Sequence, residues 1–157
     1  MTADSTELIA QLEEQERRLV FRRFTNGDAW AIGSRLVSVA TERKLAVTID
    51  IRRNGQQLFH AALDGTAPDN DMWVSRKINV VNRYGSSSLL VGRRLDAAGV
   101  VLGPEGGVDL IDFAAHGGAF PVTIENVGVV GAIAVSGLPS VDDHALVVEI
   151  IEEFLAG

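Results

Sequence analysis

The sequence predicts an α+β fold in which helices pack on a five-stranded, mainly antiparallel sheet. Two amphipathic segments precede the first strand pattern, and the extended segments then come as one hairpin and one later meander. Strands and helices do not alternate, so the pattern does not favour a nucleotide-binding α/β fold. The 157 residues fit a single domain spanning 1–157, long enough to bury about two thirds of the surface of the unfolded chain.

Two helices are predicted at the start of the chain. Within residues 4–19, Leu8, Ile9 and Leu12 recur at helical spacing among Glu, Gln and Arg. The second helix opens at Asn26-Gly27-Asp28. Its predicted buried side is made of Trp30, Ile32, Leu36, Val37, Val39, Ala40 and Leu45.

A β-hairpin is the clearest local signal. Residues 46–52 alternate apolar and polar, Asn54-Gly55 supplies the turn, and residues 57–63 resume the extended pattern. Turn-forming residues fill 64–70, and a third helix is predicted from there to Tyr84. The serines that follow offer a cap for a fourth helix over about 89–98.

The last third of the chain is predicted to form a three-strand meander and a helix. After the glycine-rich connection 99–107, the segments 108–114, 121–126 and 127–136 have strand character. Ser140 to Asp143 fits the Ser-x-x-Asp cap pattern ahead of an apolar helix. The two earlier strands and these three give the five of the predicted sheet.

Composition limits the function. Hydrophobic residues make up 46% and charged residues 22% of the chain, an excess that predicts apolar surface buried between subunits of a homo-oligomer. The net charge of −7 argues against a nucleic-acid partner, because that class needs a basic surface. Without cysteine, disulfides and thiolate metal sites are excluded.

The compartment is predicted from apolar segments. The N-terminal residues 1–11 carry early acidic side chains and no apolar run, so they do not resemble a secretory signal, and we expect a cytoplasmic protein. The longest apolar stretch, 127–138, is interrupted by glycine and is shorter than the about 20 residues that cross a bilayer. We therefore expect no membrane partner.

The third predicted helix carries an unusual surface. Trp73, Lys77 and Tyr84 share one stripe of it, and Arg76 and Asn79 lie on the neighbouring stripe. A face that is both aromatic and cationic suits a flat anionic ligand, or it suits docking against another subunit through aromatic and arginine anchors. The residues alone leave both alternatives open.

Four motifs in a fixed order carry a resemblance. They are the Trp-x-x-Arg-Lys-x-Asn-x-Val run at 73–81, three serines at 86–88, His-Gly-Gly-Ala-Phe-Pro-Val at 116–122, and the segment 129–144. Together they resemble the haem-degrading-domain family, also called GlcG-like or HbpS-like, and within it an uncharacterised-protein branch. The resemblance covers nearly the whole chain. It departs at residues 138–140, where relatives commonly carry more glycine.

The resemblance implies a fold and a ligand class. It implies profilin-like α-β-α layers around the five-stranded sheet, and assembly into rings or multi-dimer oligomers. It also implies haem or a related tetrapyrrole as the cofactor to consider, since some relatives bind haem or corrinoids. A haem site needs an iron ligand, an apolar slot and cations for the propionates.

The histidines are the main candidate iron ligands. His116 is the preferred one, because the adjacent Gly117 and Gly118 allow the backbone to approach a ligand closely; a polar residue of a turn is its ordinary interpretation. His60 lies in a predicted strand and is expected to point outward or to be a core imidazole. His144 follows two aspartates, so a raised pKa and a surface position are expected.

The remaining groups of polar residues are not predicted to form a metal, phosphate-binding or catalytic site. Asp109 and Asp112 are expected on opposite faces of a strand and cannot converge. Residues 103–107 lack the Lys-Ser/Thr that follows a phosphate loop. The serines 86–88 lack the Gly-x-Ser-x-Gly context of a hydrolase nucleophile. No catalytic residue is therefore predicted, and non-enzymatic binding is favoured over an enzyme.

The favoured hypothesis is a homo-oligomer that binds haem or another small planar anion between the Trp73 helix and the loop that begins at His116. In it, Trp73 and Phe120 sandwich the apolar body, and Arg76 and Lys77 neutralise acid groups. The predicted ligand-binding residues are Trp73, Arg76, Lys77, Asn79, His116, Gly117, Gly118 and Phe120, with His116 as the iron ligand. The alternative is a ligand-free oligomeric adaptor, for which Trp73 and Arg76 are interface anchors.

Overall fold

The computed structural model describes residues 3–157, so the first two residues of the predicted domain and of the N-terminal segment 1–11 lie outside the described residues. The helices are α1 (Ala3–Arg18), α2 (Asn26–Glu42), α3 (Pro68–Tyr84), α4 (Ser88–Ala98) and α5 (Ser140–Ala156). The strands are β1 (Thr48–Arg53), β2 (Gln56–Ala62), β3 (Ala119–Ile124) and β4 (Gly128–Ser136).

Within residues 3–157 the sheet has four strands in the order β2-β1-β4-β3, and each neighbouring pair is antiparallel. The α+β class and the antiparallel sheet are confirmed, and the hairpin turns at Asn54-Gly55 as predicted, with both residues at positive φ. The predicted count of five strands is wrong, because residues 108–114 do not pair with the sheet.

Asp109 explains the missing strand. Its carboxylate accepts the amide of Ile111 at 2.9 Å, and its carbonyl accepts the amides of Asp112 at 2.9 Å and Phe113 at 3.1 Å. An aspartate that satisfies nearby amides in this way curls the backbone into a turn. Leu110 and Ile111 are consequently exposed at the surface and do not enter the core.

Helices cover both faces of the sheet. On one face α2 and α5 enclose a large core that includes Phe120, Ile133 and Val135. On the other face α3 lies over β3 and β4, where Ala119, Ala132 and Ala134 are small enough for a helix to approach closely. Helix α1 packs on α4 through a third cluster of Leu12, Leu89 and Leu90.

Two predicted positions are corrected. Trp30 was expected on the buried side of α2, but it is 61% exposed and packs edge-on against Phe59 at a centroid distance of 5.2 Å. His144 was expected at the surface with a raised pKa. It is only 4% exposed, packs near Phe120, and places Nε2 2.7 Å from Oε1 of Gln15.

Burial determines the titration of His144. Removal from water penalises the charged imidazolium and lowers the pKa of His144 to about 4, despite the two aspartates before it. The neutral ring donates from Nε2 to the Gln15 amide oxygen, while Nδ1 has no hydrogen-bond partner among residues 3–157. A neutral buried histidine therefore joins α5 to α1.

The stability of the fold should respond to this histidine. Because its folded pKa lies below the unfolded value near 6.5, its contribution is complete above pH 6.5 and is lost as the pH falls toward 4. When the pH is well below both pKa values, the loss of unfolding free energy is about 3 kcal/mol. We expect His144→Gln to flatten the pH dependence of the unfolding free energy between pH 7 and 4, measured by urea denaturation.

The matched control is His60→Gln, which removes an accessible histidine paired with Asp71. This variant should keep the steep pH dependence of the parent protein. Identical pH profiles for the parent and His144→Gln would show that burial of His144 does not contribute to acid sensitivity.

Candidate functional site

Side chains of α3, chiefly Asn79 and Arg83, hold the segment 99–118, hereafter the tethered loop. Asn79 Nδ2 donates to the carbonyl of Asp112 at 2.8 Å, and Arg83 Nη2 donates to the carbonyl of Gly106 at 3.0 Å. The amide of Ala114 donates to the carbonyl of Arg76 at 3.3 Å. Because the side chains of Asn79 and Arg83 bind backbone carbonyls of the loop, Asn79 anchors the loop and does not face an open site.

The tethered loop encloses a cleft of about 490 Å³ against α3 and α4, hereafter the larger cleft. Its lining residues are Arg76, Leu89, Gly92, Arg93, Leu95, Asp96, Val100, Val101, Leu102, Leu110, Phe113, Ala114, Ala115, His116 and Ser140. Nine of these fifteen residues have apolar side chains, and the charged side chains are two guanidinium groups and one carboxylate.

Gly92 sets the shape of this cleft. It lies inside α4, where glycine costs about 1 kcal/mol relative to alanine. A Cβ at this position would overlap the carbonyl oxygen of Ala115. The missing side chain lets the loop that carries His116 lie directly on α4, beside Arg93.

Trp73 contacts two of the polar side chains that line the larger cleft. The guanidinium carbon of Arg76 lies 4.6 Å from the centre of the Trp73 ring, a cation–π distance, and the ring of His116 meets Trp73 edge-on at 5.4 Å. Trp73 Nε1 donates to Asp69 at 3.2 Å. The structure therefore brings Trp73, Arg76 and His116 together, as the sequence predicted.

Lys77 is not free to hold an acid group. It is buried, and its ammonium donates to Asp143 Oδ2 at 3.1 Å and to the carbonyl of Val135 at 3.2 Å. The other Asp143 oxygen accepts the amide of Leu138 at 2.9 Å. Desolvation lowers the pKa of Lys77 and raises the pKa of Asp143, while their mutual attraction opposes both shifts.

This ion pair lies at a second cleft of about 270 Å³, hereafter the smaller cleft. Trp73, His116 and Ser140 also line it, and His116 and Ser140 are shared with the larger cleft. His116 and Ser140 thus lie between the two openings, and Trp73 lines the smaller one. Two serines and the aspartates Asp69 and Asp143 contribute to the wall of the smaller cleft.

The two glycines after His116 allow a close approach to the protein itself. The amide of Gly117 donates to Ser140 Oγ, and a Cβ on Gly117 would overlap the Ser140 carbonyl. Gly118 has a φ of +138°, and a Cβ there would overlap the carbonyl of Val135. Both glycines therefore allow the segment that carries His116 to pack closely against β4 and α5. The sequence had predicted that they allow the backbone to approach a ligand.

The prediction that Phe120 forms one wall of the ligand site is wrong. It is buried in the core between the sheet and helices α2 and α5, whereas Ala119 faces α3. Successive residues of a strand point to opposite faces, so Phe120 cannot form a sandwich with Trp73. Phe113 of the tethered loop lines the larger cleft in its place.

Sequence reasoning missed Arg93, Phe113 and the apolar residues of the tethered loop. The signal that was available is Gly92, since a glycine within a predicted helix indicates close backbone approach. Among residues 3–157 no group of three His, Cys, Asp or Glu side chains is placed to hold a metal ion. No helix in that part of the chain has the length and apolar character to cross a membrane.

Comparison with known proteins gives consistent matches. The model of the family described as Haem degrading protein HbpS-like matches residues 24–152. A UPF0303 protein of Streptomyces coelicolor is 62% identical over 154 residues, which cover 98% of each chain. The crystal structure of Ybr137w protein matches with a TM-score of 0.84 at 31% identity, over 94% of this chain and 87% of that chain.

A more distant solved structure, a PduOC:Heme complex, has a TM-score of 0.70 at 14% identity and covers 82% of this chain and 93% of that chain. At this identity, the likeness shows a shared fold.

The buried ion pair gives a prediction about stability. Asp143→Asn leaves the Lys77 ammonium without a counter-charge, and breaking one partner of a buried pair typically costs about 3–5 kcal/mol. We expect a loss of this size in the unfolding free energy, measured by urea denaturation at pH 7. Asp142→Asn is the control, because Asp142 is exposed in the same turn of α5. Equal losses in the two variants would contradict a stabilising role for the pair.

Proposed function

This chain belongs to the HbpS-like family of haem-degrading proteins, as its motifs predicted, and we propose that it binds haem or a related planar tetrapyrrole in the larger cleft. The observation that carries the proposal is the coincidence of apolar walls, an arginine and an accessible histidine in one opening. Its volume of about 490 Å³ falls within the usual range of ligand pockets, about 300–1,000 Å³.

Each part of the cleft has a proposed role. The apolar side chains of α4 and the tethered loop, including Leu95, Leu110 and Phe113, cover the flat body of the ligand. Arg76 neutralises an acid group, and its contact with Trp73 fixes the guanidinium before the ligand arrives. His116 is the proposed iron ligand, since its ring lies at the opening and is exposed.

The other predicted site residues act by positioning. Asn79 holds the tethered loop, Lys77 holds the start of α5 through Asp143, and Gly117 with Gly118 allows His116 to reach its place. We assign none of them a direct ligand contact. Bound haem supplies an iron centre to such a site, and the residues described here bind and orient it.

Two further observations support the ligand and the assembly. The PduOC protein, which shares this fold, has been solved as a heme complex. Val101 and Ile111 of the tethered loop are 85% and 74% exposed, and apolar side chains of this kind are commonly covered by another subunit. Homo-oligomer assembly is therefore part of the proposal, and a cytoplasmic location stays a prediction.

A ligand-free adaptor is the second candidate function. It is favoured by the same exposed loop residues and by Trp30, whose indole is largely open to solvent on α2. In that function the exposed apolar groups contact a protein partner, and the larger cleft stays empty. The two candidates differ in whether the purified protein binds a tetrapyrrole.

Titration with haemin tests the proposal. We expect a saturable Soret shift at about one haemin per subunit, and we expect His116→Ala to move the Soret maximum and weaken binding by up to about tenfold. His60→Ala is the control, because His60 lies in β2 outside both clefts and pairs with Asp71. A parent protein that shows no saturable shift while remaining folded would reject the binding function and favour the adaptor.

A further inference from the structure

We propose that Arg93 of α4 is a specificity-determining residue of the larger cleft, and that with Arg76 it selects planar ligands with two acid groups. The site then recognises the acid groups of a tetrapyrrole more strongly than its iron. This inference rests on the proposed function, because it concerns the same cleft. Arg93, together with Arg76, then neutralises the acid groups of the ligand, which the sequence had predicted for Lys77.

The first support is the charge of the cleft. Arg76 and Arg93 reach it from two different helices. The carboxylate in its lining belongs to Asp96, whose side chain is 76% exposed and lies 3.9 Å from Arg93, at the limit of an ion pair. The two guanidinium groups and the one carboxylate thus give the lining one positive charge in excess, in a chain whose net charge is −7.

The second support is unsatisfied hydrogen-bonding capacity. The Nε atoms of Arg76 and Arg93 are buried and have no hydrogen-bond partner within residues 3–157. Arg76 Nη2 makes one long contact, 3.5 Å, with the carbonyl of Phe113. Buried donors without acceptors are costly. Neither guanidinium group is fully satisfied within residues 3–157, and a carboxylate entering the cleft would supply acceptors to the terminal nitrogens of both groups.

Three arginines elsewhere in the chain differ in this respect. Arg35 and Arg43 pair with glutamates of α5, at 3.0 Å and 2.6 Å. Arg94, the neighbour of Arg93, donates to Glu13 of α1 at 3.3 Å and to Ser86. Unlike these three, Arg76 and Arg93 line the larger cleft and have an Nε without a partner among residues 3–157, and guanidinium groups match carboxylates through paired hydrogen bonds.

The distribution of polarity defines the ligand class. Leu95, Val100 and Leu110 provide apolar surface in the same opening as the two cations. A small inorganic anion would leave that surface uncovered, and a neutral planar molecule would leave both guanidinium groups unpaired. A flat hydrophobic body with two carboxylates satisfies both parts of the wall, as a porphyrin dicarboxylate does.

The test compares three ligands and three proteins. Haemin, iron-free protoporphyrin IX and protoporphyrin IX dimethyl ester are titrated, in one cosolvent, into the parent protein, Arg93→Gln and Arg94→Gln. Absorbance and quenching of tryptophan fluorescence report binding, and urea denaturation reports folding. Arg94→Gln is the matched control, because Arg94 is adjacent in sequence and faces α1.

We expect iron-free protoporphyrin to bind within about tenfold of haemin, and the dimethyl ester to bind at least about tenfold more weakly than the free diacid. Arg93→Gln should weaken binding of the two free acids by at least about tenfold and change binding of the ester by less than about twofold. Arg94→Gln should resemble the parent protein with all three ligands.

Several results would overturn the inference. Equal losses for the diacid and the ester in Arg93→Gln would show that Arg93 only supports the shape of the cleft. Unchanged haemin binding in Arg93→Gln would reject the inference while leaving the proposed function in place. A parent protein that binds neither haemin nor protoporphyrin would reject both together.

Discussion

The buried ion pair between Lys77 and Asp143 fixes the place where α3, the end of β4 and the start of α5 meet. Asp143 also receives the amide of Leu138, and Lys77 also donates to the carbonyl of Val135, so both charges hold backbone as well as each other. Ser140 is set by this corner, and its hydroxyl receives the amide of Gly117. The position of His116, one residue earlier, follows from that contact.

The candidate site arises because α3 serves two structural purposes. Its apolar face covers the small side chains of β3 and β4, while Asn79 and Arg83 bind carbonyls of the tethered loop. A loop held at several points over a helix leaves a cleft with defined walls, without the cost of ordering the whole segment on binding. Gly92 brings the other side of that cleft close, so that groups from α3, α4 and the loop share one opening.

Local signals in the sequence predicted the helices and the hairpin, because periodicity, caps and turn residues act over a few positions. The grouping of Trp73, Arg76 and His116 was predicted from the resemblance to the family, since His116 is distant in sequence from the other two. The failures came from distant or competing effects. Lys77 has its partner 66 positions away, and burial of His144 outweighs its neighbouring aspartates. Phe120 and Ala119 are both buried, so the apolar pattern could not say which faces α3. The turn at Asp109 overrode strand propensity.

The most direct test of the account locates the bound ligand by hydrogen–deuterium exchange of the protein with and without haemin. Binding in the larger cleft predicts slower exchange in the tethered loop 99–118 and in α4, with little change in α2 and the C-terminal half of α5, which pack on the opposite face of the sheet. Haemin that binds without protecting the tethered loop, or that protects α2 and the exposed Trp30 in its place, would contradict the assignment of this cleft as the binding site.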